Sequence, residues 1–488
     1  MCAAAVVAAV VFAVLVGPSS ASARATAAVR VSVGGDSSAQ AVPASFLGIS
    51  SELKNLFVYG GKSASNLDTP FIALVRGLSP SSPPLLRLAG DSSDWTWWPV
   101  PGMRQPRGVT YSLTPAWAAL AKAVASSLDG NLLVGINLEA NSSRIASYEV
   151  RQLSARLGST VAAYELGNEP ELYSSFSWYR TARGTPVYGR PSSYDVSAYT
   201  RNFWSIAETF GAVPLAGPAT GSPTWFAGLR GFLRSAHHRL SMVTVHAYPL
   251  KHCAPSDTNT TSALFEPESL QGLVARLRPS IAAARQYHVP VRIDELNAVT
   301  CGGENGVSNT FASALWAIEV LPLLERAGVG GVNFHTVPGG AQQLIGAADH
   351  STGWRVSVFP EYYGMLAFAQ AAPTGAHFLD VSAGAVAGLT EWATRGTDGT
   401  VHVVIVNASS AKRTISLSVR GASAPATATT LEAPSLDATR GVTFGGQTIS
   451  PETGTLAGAS TATTVAHSGG GYVVAVPRSS AVIVTIPS

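Results

Sequence analysis

Charge is scarce in this sequence: Asp, Glu, Lys and Arg make up 12% of its 488 residues, about half the ~25% usual for soluble domains. Its 32 basic and 29 acidic residues leave a formal charge of +3, and no Lys/Arg-rich run gathers them. That excludes the basic patch by which a nucleic acid or an anionic membrane would be recognised. Cysteine is rarer still, at three residues. No Cys or His spacing marks a metal site, so no metal or other cofactor is expected. No GxGxxG follows the first apolar strand pattern, which argues against a dinucleotide fold. Past the N-terminus no apolar run approaches the ~20 residues that span a bilayer. Polarity comes instead from Ser, Thr, Asn and Gly, as is common in exported proteins.

The one long apolar run stands first. MCAAAVVAAVVFAVLVG leads through Pro18, Ser19 and Ser20 to Ala21-Ser22-Ala23, a small-x-small cleavage site. Although a charged start is missing, the run is shorter than the ~20 residues an anchor needs. It reads as a signal peptide over 1–23, which makes the mature chain secreted, extracellular or periplasmic. Cys2 leaves with that segment, and Cys253 and Cys301 remain as an even pair in an oxidising compartment.

From about residue 45, short apolar runs alternate with amphipathic segments. The runs are SFLGIS (45–50), LLRLAG (85–90), LLVGIN (132–137), AAYELG (162–167), AVPLAG (212–217), MVTVHA (242–247), VRIDEL (291–296) and GGVNFH (330–335). Thr114-Pro115 predicts a capped helix start, and Ser308 a second cap before the run that stops at Gly328, with Pro322 inside it. Strand and helix alternating eight times over roughly 325 residues predict a (β/α)8 barrel, a TIM barrel, across 45–371. After residue 372 the pattern turns to alternating β-type runs, such as TVHVVIVNAS and SAVIVTIPS, with no helix between them. A C-terminal β-sandwich over 372–488 is expected. The strand-like AAVRVSVG within 24–44 has the same character and is expected to join that sandwich. ASAPATATT (422–430) reads as a surface loop.

Two of the eight runs end in an acid. VAAYELGNEP places Glu169 at the exit of the fourth strand, and VPVRIDELN places Glu295 at the end of the seventh. Alternate strand residues share a face. Val291, Ile293 and Glu295 should therefore point together, as should Ala163, Glu165, Gly167 and Glu169 if that strand stays regular. Two rim carboxylates facing each other across a barrel mouth are what glycoside hydrolysis requires, one acid protonating the leaving oxygen and the other attacking or activating water. Glu165 lies deeper and is expected as a partner of Arg87 or Arg292. Asp294 has the opposite parity to Glu295 and should face the helix layer. His246 and His335 end strands, where they could tune the site or serve only the structure. Trp95, Trp97 and Trp98 form an aromatic loop that suits sugar faces or its own packing. Cys253 and Cys301 follow the sixth and seventh strands at similar height, which predicts a disulfide.

ELGNEP on the fourth strand and DELN on the seventh resemble the large glycosidase clan that carries its acid/base and nucleophile at those places. More narrowly, LRLAGDSSDWTWW (86–98), YELGNEPELY (164–173), HAYP (246–249) and ELNAVTCGG with GVSNTFASALWA (295–317) resemble glycoside hydrolase family 79, which contains β-glucuronidases and heparanase-like enzymes. The resemblance implies a retaining mechanism with Glu169 as acid/base and Glu295 as nucleophile. It further implies Asn168 on the sugar 2-hydroxyl, Tyr248 donating to Glu295, and Glu52 and Asp91 on sugar hydroxyls. Gly302 and Gly303 would receive a uronate carboxylate through their N–H groups. The eighth-strand loop departs from the family, with Gln342 and Gln343 where a tyrosine is expected; Lys251 or His252 could compensate. A secreted, exo-acting β-glucuronidase that removes terminal, optionally 4-O-methylated, glucuronate from glycans is the leading expectation. A heparanase-like endo-enzyme, another β-glycosidase, or a non-catalytic carbohydrate binder on the same scaffold are the alternatives.

Overall fold

A computed structural model describes residues 28–488; the expected leader over 1–23 lies outside them. Among the described residues no helix is long and apolar enough to cross a membrane. The chain enters as strand β1, Val29–Ala41. It then lays down eight parallel strands: β2 (Leu47–Glu52), β3 (Leu85–Ala89), β4 (Asn131–Ile136), β5 (Val161–Leu166), β6 (Leu215–Thr220), β7 (Leu240–Ala247), β8 (Val291–Leu296) and β9 (Gly331–Thr336). These close into a barrel in chain order. Each of the eight apolar runs thus supplies one barrel strand.

A helix follows every barrel strand: α1 (Thr69–Gly77), α2 (Pro115–Leu128), α3 (Ser143–Leu157), α4 (Val196–Ala207), α5 (Pro223–Ala236), α6 (Gln271–Gln286), α7 (Phe311–Ala327) and α8 (Pro360–Ala371). Helix α2 starts where its signals place it, with Thr114 Oγ1 accepting the Trp117 N–H at 3.1 Å. The cap of α7 is Thr310 rather than Ser308. Ser308 Oγ instead accepts the Glu304 N–H at 3.0 Å, because two further residues bend back before the helix begins. Helix α7 is apolar on nearly every side and buried on nearly every side, as a helix between two domains must be.

The second layer of structure is one ten-stranded sheet. It comprises β1 with β10 (His377–Ala383), β11 (Leu389–Arg395), β12 (Val401–Asn407), β13 (Arg413–Val419), β14 (Ala426–Glu432), β15 (Thr443–Phe444), β16 (Thr463–Val465), β17 (Tyr472–Val476) and β18 (Ser480–Ile486). The order is β15-β14-β18-β12-β11-β10-β1-β13-β17, with β16 on β14. Val403 and Ile405 of β12 pack in one cluster with Ile415, Leu417 and Val474 from the far end of the sheet. The sheet therefore folds over on itself as a sandwich. Alternate residues Val404 and Val406 join the other cluster, with the barrel helices, so a period of two divides each strand between the sandwich core and the barrel. Strand β1 pairs antiparallel with β10 and parallel with β13. Contrary to the loop reading of 422–430, Ala426–Glu432 is a strand. Its Ala426, Ala428 and Leu431 are buried and it pairs with β18, the threonines between them supplying β-branched side chains.

Inside the barrel, the N-terminal end is plugged by a small apolar cluster of Leu85, Leu133, Ala163 and Ala216. Two residues further along β3 and β5, the same inward face presents Arg87 and Glu165, both fully buried. The change from apolar floor to charged layer marks where chemistry begins.

Candidate active site

The two strand-end acids reach the barrel mouth by different devices, neither of them simple alternation. Strand β5 stops at Leu166. Gly167 then takes φ +86° with a side-chain position blocked by Tyr173 Oη at 2.6 Å and Leu138 at 2.9 Å, so only glycine fits. Glu169 itself is left-handed, with φ 42° and ψ 55°, a conformation that costs a non-glycine residue of order 1 kcal/mol and persists where neighbours hold it. They do: its N–H donates to Ala219 O at 2.9 Å and its carbonyl accepts from Leu172 at 2.8 Å. The expected regular strand through Gly167 is therefore corrected to a strained turn.

On β8 the parity reading also fails. Ile293 packs outward with the helices, while Arg292 and Asp294 face the interior. The ladders to β7 and β9 both slip between Ile293 and the strand end. Such a bulge re-aims the next side chain, which brings Glu295 inward beside Asp294. Asp294 is thus no helix-layer residue: its Oδ2 lies 2.8 Å from Arg87 Nε.

Arg87 organises the floor. Its Nη1 donates to Glu295 Oε2 at 2.8 Å and to Ser50 Oγ at 3.1 Å, its Nη2 to Asn168 Oδ1 at 2.9 Å, and its Nε to Glu165 Oε2 at 2.8 Å. Of the two arginines named for Glu165, Arg87 is the partner; Arg292 bonds Asn333 and the Ser45 carbonyl. Burial pushes Glu165 up to about 8, with Arg87 opposing. Burial acts the same way on Asp294, but Arg87 and His246 outweigh it and hold Asp294 below the usual carboxylate range.

Glu295 shows the same contest more strongly. Burial works to raise its pKa, yet the charges of His335, His246 and Arg87 and the Tyr248 hydrogen bond together hold it well below the ordinary range. That bond runs from Tyr248 Oη to Glu295 Oε1 at 2.7 Å. Glu169 has a different companion, His246 Nδ1, at 2.9 Å from Oε1. Burial pulls the His246 pKa down, but the charges of Glu295 and Asp294, with hydrogen bonds to Asp294 and Glu169, raise it far above normal. His246 Nδ1 thereby engages Oε1 of Glu169, and Glu169 lines the cavity. One oxygen each of Glu169 and Glu295, with a His246 nitrogen, lie within 4.8 Å of one another. This is the one three-residue group among the described residues with metal-ligand proximity.

Glu52, Asp91, Asn168, Tyr248, Gly302, Cys253 and Cys301 line the same cavity of about 1000 Å³, and Gly303 does not. Asn168 Nδ2 donates to Asp91 Oδ1 at 3.0 Å. Asp91 is pushed well above its ordinary value, first by burial and then by the charges of Glu52, Glu169 and Glu295. Glu52 Oε2 accepts the Ser92 N–H at 2.7 Å. Cys253 and Cys301 form a disulfide, with Cα atoms 5.3 Å apart, beyond a Leu250–Val299 bridge that prolongs the β7–β8 pairing. Gly302 lines the cavity, but the Gly303 N–H donates to Thr300 O at 3.2 Å. Closing that turn removes Gly303 as a carboxylate donor. Lys251 and Gln342 line the cavity, whereas His252 and Gln343 do not. Of the three tryptophans only Trp95 lines it. Trp97 packs in a satellite cluster and Trp98 beneath Arg156.

Sequence reasoning missed Asp94. Its Oδ1 accepts the N–H groups of Leu138 and Glu139 at 2.8 and 2.9 Å, and its Oδ2 accepts the Asn168 N–H at 3.0 Å and the Tyr173 O–H at 2.6 Å. It ties the turn before Glu169 to the β4 loop. The repeated acid in GDSSD was its visible trace.

The barrel, its paired rim carboxylates and the enclosing cavity define a glycoside hydrolase. Residues 385–483, most of the sandwich, match the model for the glycosyl hydrolase family 79 C-terminal beta domain. The fold is similar to that of a 4-O-α-L-rhamnosyl-β-D-glucuronidase from Fusarium oxysporum 12S, at TM-score 0.75 and 20% identity over 93% of this chain and 100% of that one. It is also similar to a family 51 arabinofuranosidase from Xanthomonas axonopodis pv. citri, at TM-score 0.64 and 16% identity over 94% and 100%. The family 51 α-L-arabinofuranosidase AbfB from Bifidobacterium longum gives TM-score 0.62 and 14% identity over 95% and 100%. No curated protein matches the chain in sequence.

Proposed function

We propose that this glycoside hydrolase is a retaining β-glucuronidase working by double displacement. The approach of Glu169 and Glu295 within 4.8 Å carries the reading. Retaining enzymes hold their carboxyls ~5 Å apart, and inverting ones need room for a water between them. Glu295, ionised beside Arg87 and Tyr248, attacks the anomeric carbon as Glu169 gives its proton to the leaving oxygen. Glu169, then a base, activates the water that releases the sugar. Asn168 offers its amide to the 2-hydroxyl, and Asp91 and Glu52 meet further hydroxyls. Glucuronate is the favoured glycone because Lys251 and Gly302 stand together on the disulfide-tied side of the cavity, where a carboxylate would find a cation. The loop after Glu169 stands along one side of the cavity and favours exo-action on terminal residues.

We further assign residues 28–44, the described part of the expected 24–44, to the β domain, 45–371 to the catalytic barrel and 372–488 to the sandwich. The disulfide supports export of the chain. A panel of p-nitrophenyl glycosides tests the function. Glucuronide turnover, with the matching glucoside and xyloside slower by at least roughly tenfold, is expected. Faster turnover of a neutral glycoside would contradict the uronate reading, and no turnover of any would contradict the enzyme.

A further inference from the structure

Chemistry fixes which side of the cavity takes the leaving group. The acid/base must touch the departing oxygen, so the aglycone lies beside Glu169, while the nucleophile works from the opposite face. The wall on that side carries exposed apolar side chains. Leu172 is 38% exposed and Phe176 55% exposed, and both line it together with Trp225. Exposed apolar side chains gathered on one wall of a cavity, unlike those scattered singly, mark a ligand-binding surface. This wall is rigid: Leu172 N–H donates to the carbonyl of Glu169 itself at 2.8 Å, and Phe176 N–H to Leu172 O at 2.7 Å. Trp225 is packed from behind by Tyr194 and Tyr199.

The charges of the wall are equally one-sided. The two lysines that line the cavity, Lys54 and Lys251, belong to the loops after β2 and β7, not to this wall. Its carboxyls are those of Glu169 and Glu171; Glu171 Oε1 accepts the Gly221 N–H at 2.7 Å, burial pushes its pKa up to about 7, and neither offers a cation to an anionic leaving group. Resting on the retaining reading above, we propose that the leaving-group side is a binding site for an uncharged aglycone with a flat apolar face, an aromatic ring, laid against Leu172, Phe176 and Trp225, and that it rejects sulfated or carboxylated leaving groups.

Three substrates with the full chain test this: 2-naphthyl β-glucuronide, the same compound with a ring sulfonate, and β-glucuronyl fluoride, whose leaving group is too small to reach the wall. The sulfonated compound should show kcat/KM at least roughly tenfold below that of the plain naphthyl compound. In Phe176→Ala the ratio of naphthyl to fluoride kcat/KM should fall roughly tenfold, and Phe176→Arg should narrow the gap between the two naphthyl substrates. Phe176 is exposed, so neither change should unfold the chain, which a melting curve checks. Equal turnover of the two naphthyl compounds, or an unchanged naphthyl-to-fluoride ratio in the alanine variant, would overturn the aglycone site alone. No turnover of the fluoride would overturn the retaining glucuronidase reading and this proposal with it.

Discussion

Glu169 and Glu295 are the same side chain at corresponding strand ends, and nearly everything around them differs. Glu169 sits on a left-handed turn, its side chain 23% exposed, with one neighbouring donor on Oε1. Glu295 sits past a bulge, 12% exposed, between Arg87 on one oxygen and Tyr248 on the other. Under the proposed function the neighbours, not the residue type, mark Glu295 as the acid held ionised, one half of the division that glycoside hydrolysis needs.

The sharpest break of the comparison is amide substitution. Glu295→Gln should cost at least about ten-thousandfold in kcat for every substrate. Glu169→Gln should cost roughly a hundred- to ten-thousandfold for a poor leaving group and far less in kcat/KM for a dinitrophenolate, which needs no proton. Equal losses across leaving groups in the Glu169 variant would erase the distinction. Arg87→Met strips the counter-charge from Glu165, Asp294 and Glu295 at once, and should lower stability by roughly 3–5 kcal/mol in a denaturant melt. Tyr248→Phe is milder. Losing a donor to the charged form raises the Glu295 pKa, so the acidic limb of the kcat/KM profile should move to higher pH, with a rate loss of roughly tenfold to a hundredfold.

The smallest effect lies outside the site. Burial holds Glu149 and Glu361 well above the ordinary carboxylate range and Glu319 up to about 8. Each keeps its proton in the fold while the unfolded chain loses it near the ordinary 4.5. The native state therefore binds more protons between there and about 8, and stability falls as pH rises through that window. The raised His246 acts in the same direction, its contribution complete below the ordinary 6.5 and lost as pH climbs to the folded value. The depressed Glu295 and Asp294 have the opposite sign, and their contribution is lost only on acidification below the ordinary carboxylate values. Melting temperature should decline from about pH 5 to about pH 8, and Glu149→Gln should flatten the decline.

The barrel was legible because each buried parallel strand is a short apolar run between turn residues, and the helices between them keep their own period. Glu169 and Glu295 were legible for the same reason, as acids where such runs end. Asp294 was misread because a bulge leaves no mark in a period-two pattern. The reach of Arg87 to both Glu295 and Asn168, and that of His246 to Glu169, depend on register between strands far apart in the chain. No local window contains that register. Strand β14 was hidden by a composition of Ala, Thr and Pro that reads as low complexity until β18 is seen beside it.

The central claim is that Glu295 bonds to the sugar while Glu169 handles the proton. Incubation with 2-deoxy-2-fluoro-β-glucuronyl fluoride, followed by intact mass and peptide mapping, reads it directly. A single added fluorosugar on the peptide bearing Glu295, absent from Glu295→Gln and hydrolysed slowly in the intact chain, is the predicted result. Turnover of the fluoride with no adduct, or an adduct on any other residue, would contradict the account.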